Sequence, residues 1–173
     1  MRGRVISVNI SDRKGVRKKP AIEAFLKTDF GMEGDAHASS KWHRQVSLLA
    51  LESIKKMQDK GLKVNPGDFA ENITTEGIDL LKLPVGTKMI IGSNIEVEVT
   101  QIGKVCHTRC EIYKQAGDCV MPKEGIFVKV LKGGKVTEGD EIVVVRASCK
   151  SIYKPNLSTS SMRTSLKSTY LFC

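Results

Sequence analysis

The chain has 173 residues, 40% of them hydrophobic, enough to bury one core and to make a single domain. Five cysteines are too few for a disulfide scaffold, and their odd number leaves at least one thiol unpaired within a chain. The longest apolar run falls short of the roughly 18 residues that span a bilayer, no charged-then-apolar leader opens the sequence, and part of the +9 formal charge sits in an acid-free tail. A cytoplasmic protein with reduced thiols is therefore expected, without a membrane.

In chain order, RVISVNI is the first strand candidate. RKGVRKK, residues 13–19, reads as a solvated basic loop, with phosphate or RNA binding as the competing reading. One Trp and few aromatics give no stacking pattern of an RNA-recognition sheet, so nucleic acid is not an expected partner. EAFLKTDF, residues 23–30, is another strand candidate. LLALESIKKMQDKG sets Leu48, Leu51, Ile54 and Met57 at spacings of three, which predicts a helix with Ser47 as N-cap and Gly61 as stop. KMII and IEVEVTQI, joined by Gly92-Ser93-Asn94, read as a hairpin, the second strand alternating Ile95, Val97 and Val99 with polar residues. IFVKVL and KV, around Lys132-Gly133-Gly134, suggest a second hairpin, and EIVVV follows Gly139-Asp140. Short strands, glycine turns and one or two short helices predict a mainly β barrel rather than βαβ units. Past residue 147 ten residues of 26 are Ser or Thr and acids vanish, so residues 1–146 are expected to form the domain and 147–173 a basic appendage.

Three polar segments carry candidate chemistry. In FGMEGDAHA and WHRQVSLLA, the residues Asp35, His37, His43 and Arg44 precede the expected helix start, where free N–H groups and the helix dipole suit an anion. The competing reading is a polar loop tied down by its own Asp and His. The His37–His43 spacing suits no standard helical metal pair. In PGDFAENITTEGIDL, Asn72 offers a donor and an acceptor to a heterocycle, or simply stabilises a turn before a strand. GKVCHTRCEI holds Cys106, His107, Arg109 and Cys110 just past the clearest strand, and four readings stand. Cys106, Cys110, Cys119 and His107 supply four zinc ligands, though without paired CxxC knuckles. Cys106 and Cys110 form a disulfide, against a reducing cytosol. Cys106 is a reactive or metal-ligating thiolate, its charge favoured by His107 and Arg109. Or Cys106 is a buried structural residue.

In order and spacing, GMEGDAH, RQVSLLA, PGDFAENITTEGIDL, the strand leading to Cys106 and EGIFVKVLKGGKVTEGDEI together resemble a MOSC domain, over residues 2–145. That module ends molybdenum cofactor sulfurases and also forms small stand-alone proteins. The resemblance implies a β-barrel related to the pyruvate kinase barrel domain, and the molybdenum cofactor (molybdopterin) as ligand. It maps the family's sulfur-carrying or molybdenum-ligating cysteine onto Cys106. The cofactor pocket maps onto Asp35, His37, Arg44, Ser47 and Asn72, with His107 and Arg109 beside the thiol. Many relatives place Pro before that cysteine, where this chain has Val105, and Cys110 is an additional thiol. The function implied is sulfur handling in cofactor maturation, with Cys106 as thiolate ligand or persulfide carrier. Expected partners are the cofactor or its carrier proteins, and either a sulfur-donor desulfurase, itself the holder of any pyridoxal phosphate, or an electron-donor reductase. The alternatives are a molybdenum-dependent reductase of N-hydroxylated compounds and a zinc-stabilised binding module.

Overall fold

The computed structural model describes residues 1–106 and 111–145, so His107, Arg109, Cys110 and the expected tail lie outside the described residues. The elements run β1 (Arg2–Ile10), β2 (Lys19–Ala21), β3 (Glu23–Lys27), β4 (Gly31–Met32), β5 (Val46–Ala50), α1 (Leu51–Asp59) and β6 (Ile73–Glu76). After a single 3-10 turn at Leu80–Lys82 come β7 (Lys88–Ile91), β8 (Ile95–Ile102), α2 (Glu111–Ala116), α3 (Met121–Glu124), β9 (Ile126–Lys132), β10 (Gly134–Thr137) and β11 (Glu141–Val145).

The main sheet runs β11-β7-β8-β9-β5-β6-β1, and antiparallel pairing of β1 with β11 closes it into a seven-stranded barrel. Only β5 and β6 pair in parallel within that ring. Closure leaves the ring without a free edge. β2 extends one end of β1, and β10, β3 and β4 form a smaller sheet. The alternation of β8 does what it predicts: Ile95, Val97 and Val99 enter the barrel core, beside Met89, Val128 and Val130. The mainly β barrel and the β7–β8 hairpin expected from the sequence are present. Among the described residues no helix is long and apolar enough to cross a membrane.

Three expectations are corrected. The helix does not include residues 48–50: β5 is a strand, and α1 starts at Leu51 with Ala50 as an N-cap that makes no side-chain bond. Ser47 is thus mid-strand and caps nothing. The reason is that β5 is buried on both faces. Val46, Leu48 and Ala50 enter the barrel core, whereas Leu49 joins a second cluster with Ile54, Met57, Phe69, Met121 and Phe127 beneath the helices. A strand buried on two faces shows no alternation, and its apolar run merges with that of the next helix.

The second hairpin is also absent. β9 pairs with β8 and β5, while β10 leaves the barrel to pair with β3. At Gly133 a side chain would collide with the Leu26 carbonyl oxygen, so this glycine permits a close crossing rather than a tight hairpin turn. Finally, the basic run 13–19 is not merely solvated. Lys18 is buried, and residues 14–17 form part of a cavity wall.

Candidate functional site

A cavity of about 990 Å³ is lined by the β1–β2 loop, the segments entering β5 and β6, the segment after β8, and residues of the second cluster such as Phe69, Met121 and Phe127. Of the residues expected from the sequence, it brings together His37, Arg44, Ser47, Asn72 and Cys106. Asp35 does not line it but stands behind His37. His43 is outside the lining, with Nε2 3.0 Å from Gln101 Oε1.

The thiol reaches the cavity by way of a bulge and a glycine. The register of β8 against β9 shifts between Val99 and Gln101, which turns the strand end away from the regular ladder. Gly103 follows with φ of 67°, and its N–H donates to the Gly125 carbonyl at 2.7 Å. A side chain there would strike the Pro122 carbonyl oxygen, while Lys104 N–H donates to that same oxygen at 3.1 Å. The backbone before Cys106 is therefore fastened to α3, and Cys106 itself is exposed. The reading of Cys106 as a buried structural residue fails on this exposure. Cys119 is buried and lines the same cavity.

Arg44 sits between two aromatic rings, 5.0 Å from the Trp42 centroid and 5.3 Å from that of Phe127. Cation–π contacts on two sides fix a guanidinium without neutralising it. Among the described residues no carboxylate lies within ion-pair distance of Arg44, Lys14 or Lys104, all of which line the cavity. Asp68 is the sole acid in the described lining, and Arg17 pairs with it at 3.1 Å. The site is cationic.

Asn72 lines the cavity with its amide already engaged inside the protein, as in the structural alternative named for it. Its Oδ1 accepts from Ser47 N–H at 3.1 Å and Ser47 Oγ at 3.0 Å. Its Nδ2 donates to the Asn9 carbonyl at 3.3 Å and faces Met32 sulfur at 3.6 Å. The Ser47 N–H fixes the amide orientation, since a flipped amide would set donor against donor. Ser47 is occupied in the same contacts, and the anion site expected at a helix start near it does not exist, because α1 begins four residues later.

Behind His37 lies a buried ion pair. Lys18 Nζ donates to Asp35 Oδ2 at 2.5 Å, both side chains being 1% exposed. Asp35 Oδ1 accepts from the His37 backbone N–H at 3.0 Å, and His37 Nδ1 approaches it at 3.4 Å without hydrogen-bond alignment. Burial pushes the Asp35 carboxyl up, but His37 and the hydrogen bond and charge of Lys18 outweigh it, leaving Asp35 well below the usual carboxylate range. Burial pulls Lys18 down from its ordinary value, against the opposing pull of Asp35. Deeper still, the Glu71 carboxyl accepts from Gly67 N–H at 2.6 Å and Thr74 Oγ1 at 2.9 Å through one oxygen, leaving the other unpartnered. Its burial raises it above the ordinary glutamate value.

Sequence reasoning did not assign Lys14, Arg17, Lys18, Trp42, Lys104 or Phe127 to the site. The signal available was the density of the basic run, but nothing in it distinguishes a cavity wall from a solvated loop. Among the described residues no group of three or more His, Cys, Asp and Glu is arranged to hold a metal. Two of the four ligands named for zinc, His107 and Cys110, lie outside the described residues.

Comparisons with known proteins agree with this architecture. YuaD from Bacillus subtilis superposes with a TM-score of 0.69 at 20% identity, over 82% of this chain and 94% of that one. YiiM from Geobacillus stearothermophilus gives 0.62 at 19% identity, over 83% and 75%. YiiM from Escherichia coli gives 0.60 at 20% identity, over 86% and 71%. At such identities the likeness shows the fold. No functionally curated protein matches the chain. The sequence profile described as "MOSC domain" matches residues 33–143, well over half of the chain. This protein belongs to the MOSC domain family, a family associated with the molybdenum cofactor.

Proposed function

We propose that the cavity binds a molybdenum cofactor and that Cys106 handles sulfur there, as a thiolate ligand or as a persulfide carrier. One observation carries the reading: an exposed thiol and an arginine with no carboxylate partner among the described residues line the same cavity. The donor set suits the group. A thiolate is a soft ligand for the metal and a good sulfur nucleophile. Arg44 presents a charged fork to a phosphate. The volume, about 990 Å³, falls at the upper end of the roughly 300–1,000 Å³ usual for small-molecule sites.

When bound, the molybdenum centre supplies a redox-active metal able to hold a sulfur ligand. The chain's own residues do the rest. Trp42 and Phe127 hold Arg44 in place, and Ser47 with Asn72 tie β5 to the segment entering β6, which keeps the cavity floor rigid. As carrier, the Cys106 thiolate attacks the outer sulfur of a partner's persulfide. The new S–S bond forms at Cys106 as the donor's S–S bond breaks, and the donor leaves as a thiolate.

Native mass spectrometry of anaerobically purified protein tests this. Bound pterin and metal, or one added sulfur, are expected in the wild type and absent from Cys106→Ser, with thermal unfolding unchanged. Equal loading of the two proteins would falsify the role of the thiol.

A further inference from the structure

The loop joining β1 to β2 is built, not draped. Ser11 Oγ donates to the Arg13 carbonyl at 2.7 Å and accepts from Arg13 N–H at 3.2 Å, which tightens its entry. Ser11 N–H donates to Asp35 Oδ2 at 3.2 Å, and the exit is held by the buried Lys18–Asp35 pair and by Lys18 N–H on the Gly67 carbonyl at 2.9 Å. Burying an ion pair carries a large desolvation cost, so its use to fasten a loop that needs only to be solvated would be wasteful. Between these anchors Lys14 and Arg17 line the cavity, and Lys104 from the segment after β8 lines it too. Cations gathered this way repel one another until an anion sits among them.

Charge counting narrows the ligand. Arg17 is matched by Asp68, and Lys14, Lys104 and Arg44 have no carboxylate partner among the described residues, so three positive charges face the cavity. One phosphate monoester, at most a dianion, does not neutralise three. Lys14 and Arg17 also precede the span matched by the MOSC profile, so this wall is contributed by the chain's own N-terminal part.

We infer that Lys14 and Lys104 form a second anion subsite in the cavity that Arg44 also lines, so that the two lysines and Arg44 together take a ligand bearing more than one phosphoryl group. The inference builds on the cavity proposed above as a cofactor site, and it does not depend on Cys106. A diphosphate belonging to a nucleotide-extended pterin and one belonging to a free nucleoside diphosphate share the chemistry.

The sole tryptophan, Trp42, lines the cavity and stacks on Arg44, so its fluorescence reports occupancy directly. The full chain is titrated in metal-free buffer with inorganic phosphate, glycerol 3-phosphate, inorganic pyrophosphate and adenosine diphosphate. Pyrophosphate is expected to saturate at least tenfold more tightly than phosphate or the monoester, with affinity falling as salt rises. The double variant Lys14→Ala/Lys104→Ala is expected to lose at least tenfold of pyrophosphate affinity at unchanged thermal stability. Adenosine diphosphate binding no weaker than pyrophosphate supports a site open to a nucleoside end; binding at least tenfold weaker still supports the subsite and points to the pterin-borne source. Pyrophosphate binding no tighter than phosphate, or a double variant that binds like the wild type, overturns the inference. Pyrophosphate binding by a wild-type protein that loads no pterin would leave the subsite standing and remove the cofactor reading instead.

Discussion

Ser47 and Asn72 hold each other through main chain and side chain together. Asn72 N–H donates to both the carbonyl and the Oγ of Ser47, at 2.9 and 3.1 Å, while Asn72 Oδ1 receives the Ser47 N–H and hydroxyl. The clasp is buried, so its partners cannot turn to water. Asn72→Ala orphans a backbone N–H and strips the hydroxyl of an acceptor, and is expected to cost about 1–3 kcal/mol. Ser47→Ala leaves the Ser47 and Asn72 backbone N–H groups with one bond each, losing besides only the long 3.5 Å contact to the Ala70 carbonyl, and should cost less. Urea denaturation of the two variants checks the order, and equal losses would mean that the side-chain amide is not the keystone.

How much of this was legible beforehand depends on how many faces each element buries. β8 has one face in the barrel core, so IEVEVTQI announces itself. β5 has two, so VSLLA reads as the front of a helix, and an anion site read at that helix start moves with it, since α1 begins only at Leu51. The family resemblance names Arg44, His37 and Cys106 together with Asp35, and the first three line one cavity while Asp35 does not. Lys18 illustrates the opposite case. Its burial depends on Asp35, seventeen residues away, and on Gly67, and neither contact leaves a periodic trace in a run of lysines and arginines.

That buried pair has a measurable signature. Asp35→Asn leaves the Lys18 ammonium without its counter-charge and is expected to cost about 3–5 kcal/mol. Lys18→Met in the Asp35→Asn background should recover much of this, so a double-mutant cycle yields a strong coupling. The sign of the pH effect follows from the depressed carboxyl. Its contribution is complete above the ordinary aspartate value near 3.8 and is lost as pH falls through the lower folded value. The gap in stability between wild type and Asp35→Asn should therefore narrow only in strong acid. A gap that closes near pH 6 would contradict the assignment.

Glu71 should behave in the reverse sense. Burial raises its carboxyl above the ordinary value of 4.5, so between that value and the folded one the folded chain holds a proton that the unfolded chain has released. Stability from this group is full below 4.5 and declines as pH rises through the folded value. Glu71→Gln keeps the acceptor that serves Gly67 and Thr74 but cannot ionise. Measured by urea midpoint across a pH series starting below 4.5, the wild type is expected to lose ground against Glu71→Gln once the pH passes 4.5. Parallel curves would show that Glu71 titrates normally.

Gly103 and Gly117 share a φ of 67° but not their surroundings. An added methyl at Gly117 meets open space, whereas at Gly103 it meets the Pro122 carbonyl oxygen. Gly117→Ala should thus cost about 1 kcal/mol, the ordinary penalty for a left-handed residue. Gly103→Ala is expected to cost clearly more, and to change the rate at which Cys106 is alkylated, since the backbone leading to the thiol must move. If both variants lose the same stability and alkylate alike, the fastening to α3 does not set the position of the thiol.

Arg44 provides the sharpest separation of charge from shape. If the cavity needed only positive charge at this point, Arg44→Lys would be nearly silent. The two rings, at 5.0 and 5.3 Å, instead accommodate a flat guanidinium, which stacks where an ammonium on a flexible stem does not. Lysine is expected to leave the Trp42 face and lose the fixed fork, weakening pyrophosphate binding about tenfold while net charge stays constant. Arg44→Ala should weaken it further, because the charge goes as well. Trp42 emission should shift in both variants even without ligand, since each removes the cation stacked on the only indole. An Arg44→Lys protein with wild-type affinity and unchanged emission would reduce Arg44 to one charge among several, and the aromatic sandwich to packing.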